Sequence, residues 1–158
     1  VKKVFMESLV KLLEDRLSEG AKIKKLFLQK INNIEKNALK ILTANRKLTK
    51  KRYDNLNNKI LNLSITLDKN RLEQEVALLV LKHDVAEEIE RINFHSKSLK
   101  EELTSKKASG KKIDFILQEL FRETSTLSVK LDEPLYKKVA LDMKLSVEEM
   151  REQAQNIE

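Results

Sequence analysis

Apolar residues recur every three or four positions along most of this chain, the spacing that places side chains on one face of an α-helix. The pattern predicts a first amphipathic helix over residues 2–18. Beyond Gly20, alternating steps of four and three predict coiled-coil packing over residues 21–66, as a long helical hairpin or as one bent rod. The seam comprises Phe27, Ile31, Ile34, Ala38, Ile41, Asn45 and Leu48, followed by Tyr53, Leu56, Ile60, Leu63 and Leu67.

Three more helices are predicted in the second half of the chain. Asn70 and Glu73 have the spacing of an N-terminal capping box, which predicts a helix over residues 71–106. Another is predicted over residues 111–129. The last begins at Pro134 and runs nearly to the end, because proline is favoured in a first helical turn. Its seam comprises Tyr136, Ala140, Met143, Val147, Met150, Ala154 and Ile157.

Glycine and proline are almost absent, with 2 Gly and 1 Pro in 158 residues. Sandwiches, barrels and doubly wound sheets need these residues at many corners, and Gly20 and Gly110 lie too far apart to form a glycine-rich phosphate loop. The expected fold is therefore all-α, an extended antiparallel helical bundle or coiled-coil hairpin of about five to six helices. Breaks between helices are predicted at Gly20, 64–70, 105–110 and 132–134.

The longest apolar run covers only residues 76–81, far fewer than the roughly 20 residues that span a bilayer. No membrane partner is expected. Because this run is apolar all round the helix, it predicts burial among several helices or in a subunit interface. The chain has no cysteine, so carboxylates, imidazoles and amides are the only metal ligands on offer. No signal-peptide pattern is present, so we expect a cytoplasmic fragment or a processed product.

Charge divides the chain into two predicted domains. Residues 1–67 form a basic helical arm with 16 Lys/Arg and 6 Asp/Glu, while residues 68–158 form an acidic helical domain with 16 Lys/Arg and 19 Asp/Glu. The net charges are +10 and −3, within a total of +7. So basic an arm attracts polyanions such as nucleic acid. The alternative is that the lysines merely keep exposed helices solvated.

The candidate chemistry lies on three neighbouring predicted helices of the acidic domain. One imidazole and several carboxylates recur there, a donor set that suits Mn²⁺ or Mg²⁺. The alternative is that carboxylates one turn apart meet only solvent or lysines. Arg122 and Arg151 are candidates for binding phosphate, or for pairing with nearby glutamates. The acidic and imidazole candidates are His95, Asp114, Glu119 and Glu123, with Glu88 and Glu149 further out.

Three segments carry a family resemblance that composition does not. They read RLEQEVALLVLKHDVAEEIERINFHS over residues 71–96, KKIDFILQELFRETSTLSVK over residues 111–130, and EEMREQAQNIE over residues 148–158. These segments closely resemble the YicC-like family of bacterial stress-induced proteins, and the SEG at residues 18–20 resembles the REG of that family. The resemblance covers essentially the whole chain, whereas the N-terminal half of the family pattern is not represented.

The resemblance implies an endoribonuclease that depends on a divalent metal, Mn²⁺ or Mg²⁺, and forms an oligomeric ring, commonly a hexamer, around RNA. It implies catalytic roles for His95, Glu119, Arg122 and Glu123, and metal ligation by His95, Asp114, Glu119 and Glu123. The leading hypothesis is thus the C-terminal part of a metal-dependent endoribonuclease. The alternative is a non-catalytic RNA-binding or oligomerisation module that needs a further half for activity, and a scaffold that binds no nucleic acid comes third.

Overall fold

The computed structural model describes residues 2–62, 74, 76–78, 81–105 and 107–155. Four helices have defined bounds there. Among the described residues there is no β-strand, which confirms the all-α prediction. The helices are α1 (Lys2–Asn62), α2 (Ala86–Thr104), α3 (Gly110–Lys130) and α4 (Pro134–Ala154). Predictions on Leu63, Leu67, Asn70, Glu73 and Ile157 lie outside the described residues.

The first helix is one continuous element of 61 residues, about 90 Å long at 1.5 Å per residue. The predicted break at Gly20 is therefore wrong, and of the two forms considered for residues 21–66 the structure has the rod up to residue 62. A glycine inside a helix costs about 1 kcal/mol relative to alanine. That penalty does not end a helix whose neighbouring residues propagate it well and include no proline.

The helix predicted over residues 71–106 is interrupted, and this prediction is also wrong. His83 lies in a turn, and α2 begins only at Ala86. The carboxylate of Asp84 accepts a hydrogen bond of 3.0 Å from the backbone N–H of Ala86. Aspartate favours such local bonds over the helical ladder, so it fits a position just before a helix start.

The four helices form an antiparallel bundle in which each packs against two neighbours. α1 contacts α2 and α4, and α3 also contacts α2 and α4. Ion pairs near both ends of the packed part of α1 fix its direction, because Lys30 binds Glu149 while Arg52 binds Asp132. The α1–α4 groove and the α2–α3 groove consequently lie on opposite sides of the bundle.

The predicted seams form the core in α4 and in α1 as far as Ile41, whereas Tyr53 of the second α1 seam is 48% exposed and lies outside that core. Ile23 of α1 packs against the core and Phe27 is its first buried residue, whereas residues 3–22 are exposed along about 30 Å of helix. The same apolar cluster contains residues of α1 and of the three later helices, so the core crosses the charge boundary near residue 67. The buried seam residues are Phe27, Ile31, Ile34, Ala38 and Ile41 in α1 and Ala140, Met143, Val147, Met150 and Ala154 in α4.

Of the apolar run over residues 76–81, the structure describes residues 76–78 and 81, and these are only partly covered by other described residues. Val76 is buried, whereas Leu78 and Leu81 are exposed. These two leucines are therefore not buried among the described helices of the same chain. None of the described helices combines the length and the apolar character needed to cross a membrane.

Buried and partly buried carboxylates fasten the helix ends. Glu102, near the end of α2, accepts a 2.9 Å hydrogen bond from the backbone N–H of Ser109 and lies 2.6 Å from the Lys112 ammonium. The hydrogen bond from Lys112 and the one from Ser109 lower the pKa of Glu102. These contacts hold the short α2–α3 connection in place, and thereby the relative register of the two helices.

Candidate functional site

A group of arginines and carboxylates lies where α2 packs against α3. We call it the arginine–carboxylate cluster, and it consists of Glu87, Arg91, Glu119, Arg122 and Glu123. The two helices run in opposite directions, so the first half of α2 meets the second half of α3. Helical spacing aligns the members on each helix, since residues three or four apart share a face.

Glu123 is the buried centre of the arginine–carboxylate cluster, with 3% of its surface exposed. One of its oxygens, Oε1, lies 3.4 Å from Nη1 of Arg91 and 3.5 Å from Nη2 of Arg122. A buried carboxylate needs such partners, because an unpaired charge in the interior is costly. Glu123 therefore connects a guanidinium of α2 to a guanidinium of α3.

Each arginine also contacts a second carboxylate, Arg91 through its other terminal nitrogen, Nη2, and Arg122 through the same Nη2 that faces Glu123. Arg91 lies 2.5 Å from Glu87, and Arg122 lies 2.5 Å from Glu119. The hydrogen bond to Glu123 and the charge of Glu87 raise the pKa of Arg91, which keeps that guanidinium charged. The arginine side chains are 51% and 63% exposed, so both are fixed in direction while remaining open to solvent.

The charges of the arginine–carboxylate cluster define what it can bind. Three carboxylates and two guanidiniums leave one net negative charge. A guanidinium has five N–H donors in a planar fork, so one that is bound to two carboxylates still has donors for a phosphate. An incoming phosphodiester would thus meet oriented donors, but it also has to compete with three carboxylates.

The structure brings together only part of the predicted site. Arg122, Glu119 and Glu123 share the cluster, while His95 is half-buried and packs edge-to-face on Phe94 at a centroid distance of 5.3 Å. Among the described residues, no hydrogen bond or ion pair joins His95 to these carboxylates.

Asp114 and the outer candidates have other partners. Asp114 accepts a 2.7 Å hydrogen bond from Gln118, and its second oxygen is buried with no partner in the described chain. Glu88 lies 2.8 Å from the Lys130 ammonium. Glu149 pairs with Lys30, and Arg151 lies over the ring of Phe121, 5.4 Å from its centroid, together with Lys144.

These placements do not bring a complete metal site together among the described residues. Within the part of the chain that the structure describes, no group of three His, Asp or Glu side chains converges in a way that could hold an ion. Arginines engage the carboxylates of both Glu119 and Glu123. A cation at these two residues would first have to compete with the guanidiniums.

Arg91 is a cluster member that was not among the predicted site residues. A usable signal was present, because Arg91 lies one turn before the candidate His95 on the same face of a predicted helix. What the sequence did not contain was the register between α2 and α3, which decides which arginine meets which carboxylate. Two exposed aromatic side chains, Phe94 and Phe115, lie on the same two helices.

Together, the fold and the site define an antiparallel helical bundle with an exposed arginine–carboxylate cluster on one side. The family model described as "Endoribonuclease YicC-like, C-terminal" matches residues 34–158. The chain belongs to this YicC-like family.

Two curated relatives extend the similarity over nearly the whole chain. "Probable endoribonuclease YicC" of Haemophilus influenzae is 32% identical over 154 residues, covering 98% of this chain and 54% of that protein. The protein of the same name from Clostridioides difficile strain 630 is 34% identical over 159 residues, covering 96% of this chain and 53% of that protein. The chain thus spans about half the length of the curated relatives it matches.

Proposed function

We propose that this chain is the RNA-contacting C-terminal part of an endoribonuclease that cleaves internal phosphodiester bonds. Support comes from the names of the two relatives and from the family model. We assign RNA contact to this surface because two exposed guanidiniums are held there by one buried carboxylate, that of Glu123. Oriented guanidiniums bind phosphate oxygens and stabilise the charge that develops on them during cleavage.

In this proposal the residues of the cluster have distinct roles. Arg91 and Arg122 bind the scissile phosphate, while Glu123 is a positioning residue that fixes the direction of both side chains. His95, one turn after Arg91, carries a proton to or from the reacting oxygens, because a ring nitrogen of an imidazole can accept or donate one. The carboxylate of Glu119 pairs with Arg122 in the free chain, and once RNA draws that arginine away the carboxylate would be available to hold a divalent ion beside the phosphate.

Dependence on Mn²⁺ or Mg²⁺ remains a prediction from the family resemblance. The described residues do not form a site for either ion by themselves. Magnesium is often held by one or two protein carboxylates together with phosphate oxygens of the substrate. If the activity requires a divalent ion, we therefore expect that ion to bind only with RNA present, with His95, Asp114, Glu119 and Glu123 as the protein candidates.

The second candidate function is a non-catalytic RNA-binding or oligomerisation module. It is favoured by the exposed apolar residues of α1 before residue 22, which one chain leaves uncovered. Uncovered apolar surface on a helix is typical of contacts between subunits. We also propose assembly into a ring, which the family resemblance implies is a hexamer. A cytoplasmic location is likewise a proposal.

The decisive experiment is cleavage of a structured RNA by the intact protein that contains this chain, with Mn²⁺, Mg²⁺ or EDTA. We expect internal cuts, and we expect Glu119→Gln and Glu123→Gln to slow them, with exposed Glu101→Gln as the matched control. Cleavage that is undiminished in both cluster variants would remove the assignment of this site. Tight RNA binding without any cleavage would favour the non-catalytic module.

A further inference from the structure

A concave groove of about 650 Å³ lies between α1 and the start of α4, on the side of the bundle away from the arginine–carboxylate cluster. Its α1 wall carries Lys36, Lys40 and Lys47, and Tyr136 of α4 contributes an aromatic ring. We call it the lysine groove. Steps of four and seven residues place the three lysines on one stripe of the helix. The stripe is about 16 Å long at 1.5 Å per residue.

No described residue neutralises the positive charge of the lysine groove. Two basic residues on the same side of α1 are paired, Lys30 with Glu149 and Arg52 with Asp132. No carboxylate lines the groove, and the three groove lysines are exposed and form no ion pair with any described residue. Clefts lined by one sign of charge concentrate oppositely charged ligands.

We propose that the lysine groove binds the phosphate backbone of a single RNA strand, with Tyr136 in contact with a base. Three lysines on one stripe of a helix match a ligand whose negative charges repeat along a line. Asn37, also in the groove wall, adds amide donors for phosphate or ribose oxygens. An aromatic ring stacks only on a base that is not already paired and stacked, which selects a single strand over a duplex.

The position of the groove has a consequence for the path of RNA. Because the groove lies on the α1–α4 side and the arginine–carboxylate cluster on the α2–α3 side, one RNA cannot reach both along a straight line. It has to pass around the bundle or run between two copies of the chain. The inference rests on the proposed RNA function, but it concerns a different surface and different residues.

The test measures binding of a fluorescent, unstructured RNA oligonucleotide to the purified chain over a range of salt concentrations. Two triple variants remove the same charge from the same helix. The groove variant is K36Q/K40Q/K47Q, and the control variant is K22Q/K24Q/K25Q, whose lysines are exposed outside the groove. For single strands the salt slope changes by about 0.7 per phosphate contact, so the groove variant should lose about 2 units of slope and the control variant almost none.

Tyr136 supplies a second and independent readout. Tyr136→Phe should bind as the unaltered chain does, whereas Tyr136→Leu should bind at least about fivefold more weakly with an unchanged salt slope. Circular dichroism melting of both variants shows whether the bundle is intact, since Tyr136 also packs against the core. Equal binding by the leucine and phenylalanine variants would overturn the base contact.

The outcomes separate this inference from the proposed function. Equal salt slopes in the two triple variants would overturn the lysine groove as a backbone site, whatever the protein cleaves. Displacement of RNA by polyglutamate at equal charge concentration would overturn its selectivity for RNA. Failure of the intact protein to cut RNA would overturn the proposed nuclease activity, while a slope lost only in the groove variant would still establish the binding site.

Discussion

Replacement of Glu123 by glutamine tests whether this residue acts mainly by positioning the two arginines of the arginine–carboxylate cluster or mainly by stabilising the fold. The substitution keeps the size of the side chain and one oxygen acceptor, but it removes the charge that both arginines share. The two contacts, at 3.4 and 3.5 Å, are at the long limit for hydrogen bonds, and both guanidiniums are at least half exposed. Solvent therefore screens both interactions strongly, and their loss should cost little folding free energy.

The expected loss of folding stability is at most about 1 kcal/mol, because glutamine is also cheaper to bury than a carboxylate. For a chain of this length that corresponds to a fall in Tm of about 2–4 °C. The expected loss of cleavage is much larger. Two phosphate donors lose their common anchor, and misplaced electrostatic donors cost about 10²-fold in kcat or more.

The assay compares kcat, KM and Tm for Glu123→Gln with those for Glu101→Gln, an exposed carboxylate of α2. We expect kcat to fall while KM changes little, since the arginines remain present but lose the orientation required in the transition state. An unchanged kcat would refute the reasoning. A Tm lowered by 10 °C or more would also refute it, because Glu123 would then act mainly on the fold.

Four further predictions concern Arg91, Asp132, the divalent ion and Gly20. Arg91→Lys should lower kcat about tenfold with little change in Tm, because an ammonium cannot hold two carboxylates in a planar fork; equal kcat for both proteins would contradict this. Burial raises the pKa of Asp132, but the hydrogen bond and charge of Arg52 outweigh it and hold that pKa below its ordinary value. The stability from this pair is thus present above the ordinary carboxyl pKa and lost as pH falls through the lowered one, so melting of Asp132→Asn should depend less on acid pH. Mn²⁺ without RNA should leave the Tm of the chain unchanged, and a rise that Glu119→Gln abolishes would show instead that the carboxylates rearrange around the ion. Gly20→Ala should increase helix content in circular dichroism and protect nearby amides by up to about 1 kcal/mol, because nothing lies within 4 Å of the added methyl group; lost helicity would mean that α1 bends there.

The core was predictable from the sequence because heptad spacing is a local property. Phe27 and Ile31 of α1, like Met143 and Val147 of α4, were assigned to seams by spacing alone and are buried. Helix ends were less predictable where two local preferences compete. At Gly20 the surrounding helix outweighs the glycine penalty, whereas around residue 84 the local aspartate bond and the turn interrupt a pattern that continues on both sides.

The candidate site was predictable only in part because ion pairing between helices depends on register. Spacing placed Glu119, Arg122 and Glu123 on one helix, but it did not show that Arg91 of another helix would meet Glu123. A carboxylate pair one turn apart suits a cation equally well whether that cation is a metal ion or a guanidinium. For Glu119 that cation is Arg122 of the same helix, whereas Glu123 also meets Arg91 of the neighbouring helix, a contact that the linear pattern does not contain.

Because α1 is one continuous helix, the basic and acidic segments, which are separate along the chain, lie on different sides of one bundle. A hairpin within residues 21–66 would have folded the basic residues back on one another at a distance from the acidic helices. Instead one rod packs beside α2 and α4, and its core seam and its lysine stripe occupy different faces. The lysine groove therefore lies on one side, and the arginine–carboxylate cluster lies on the other. An RNA substrate that needs both surfaces must be long enough to turn around the bundle or must be shared between copies. We therefore expect the length of the RNA, and not only its sequence, to govern whether it is cut.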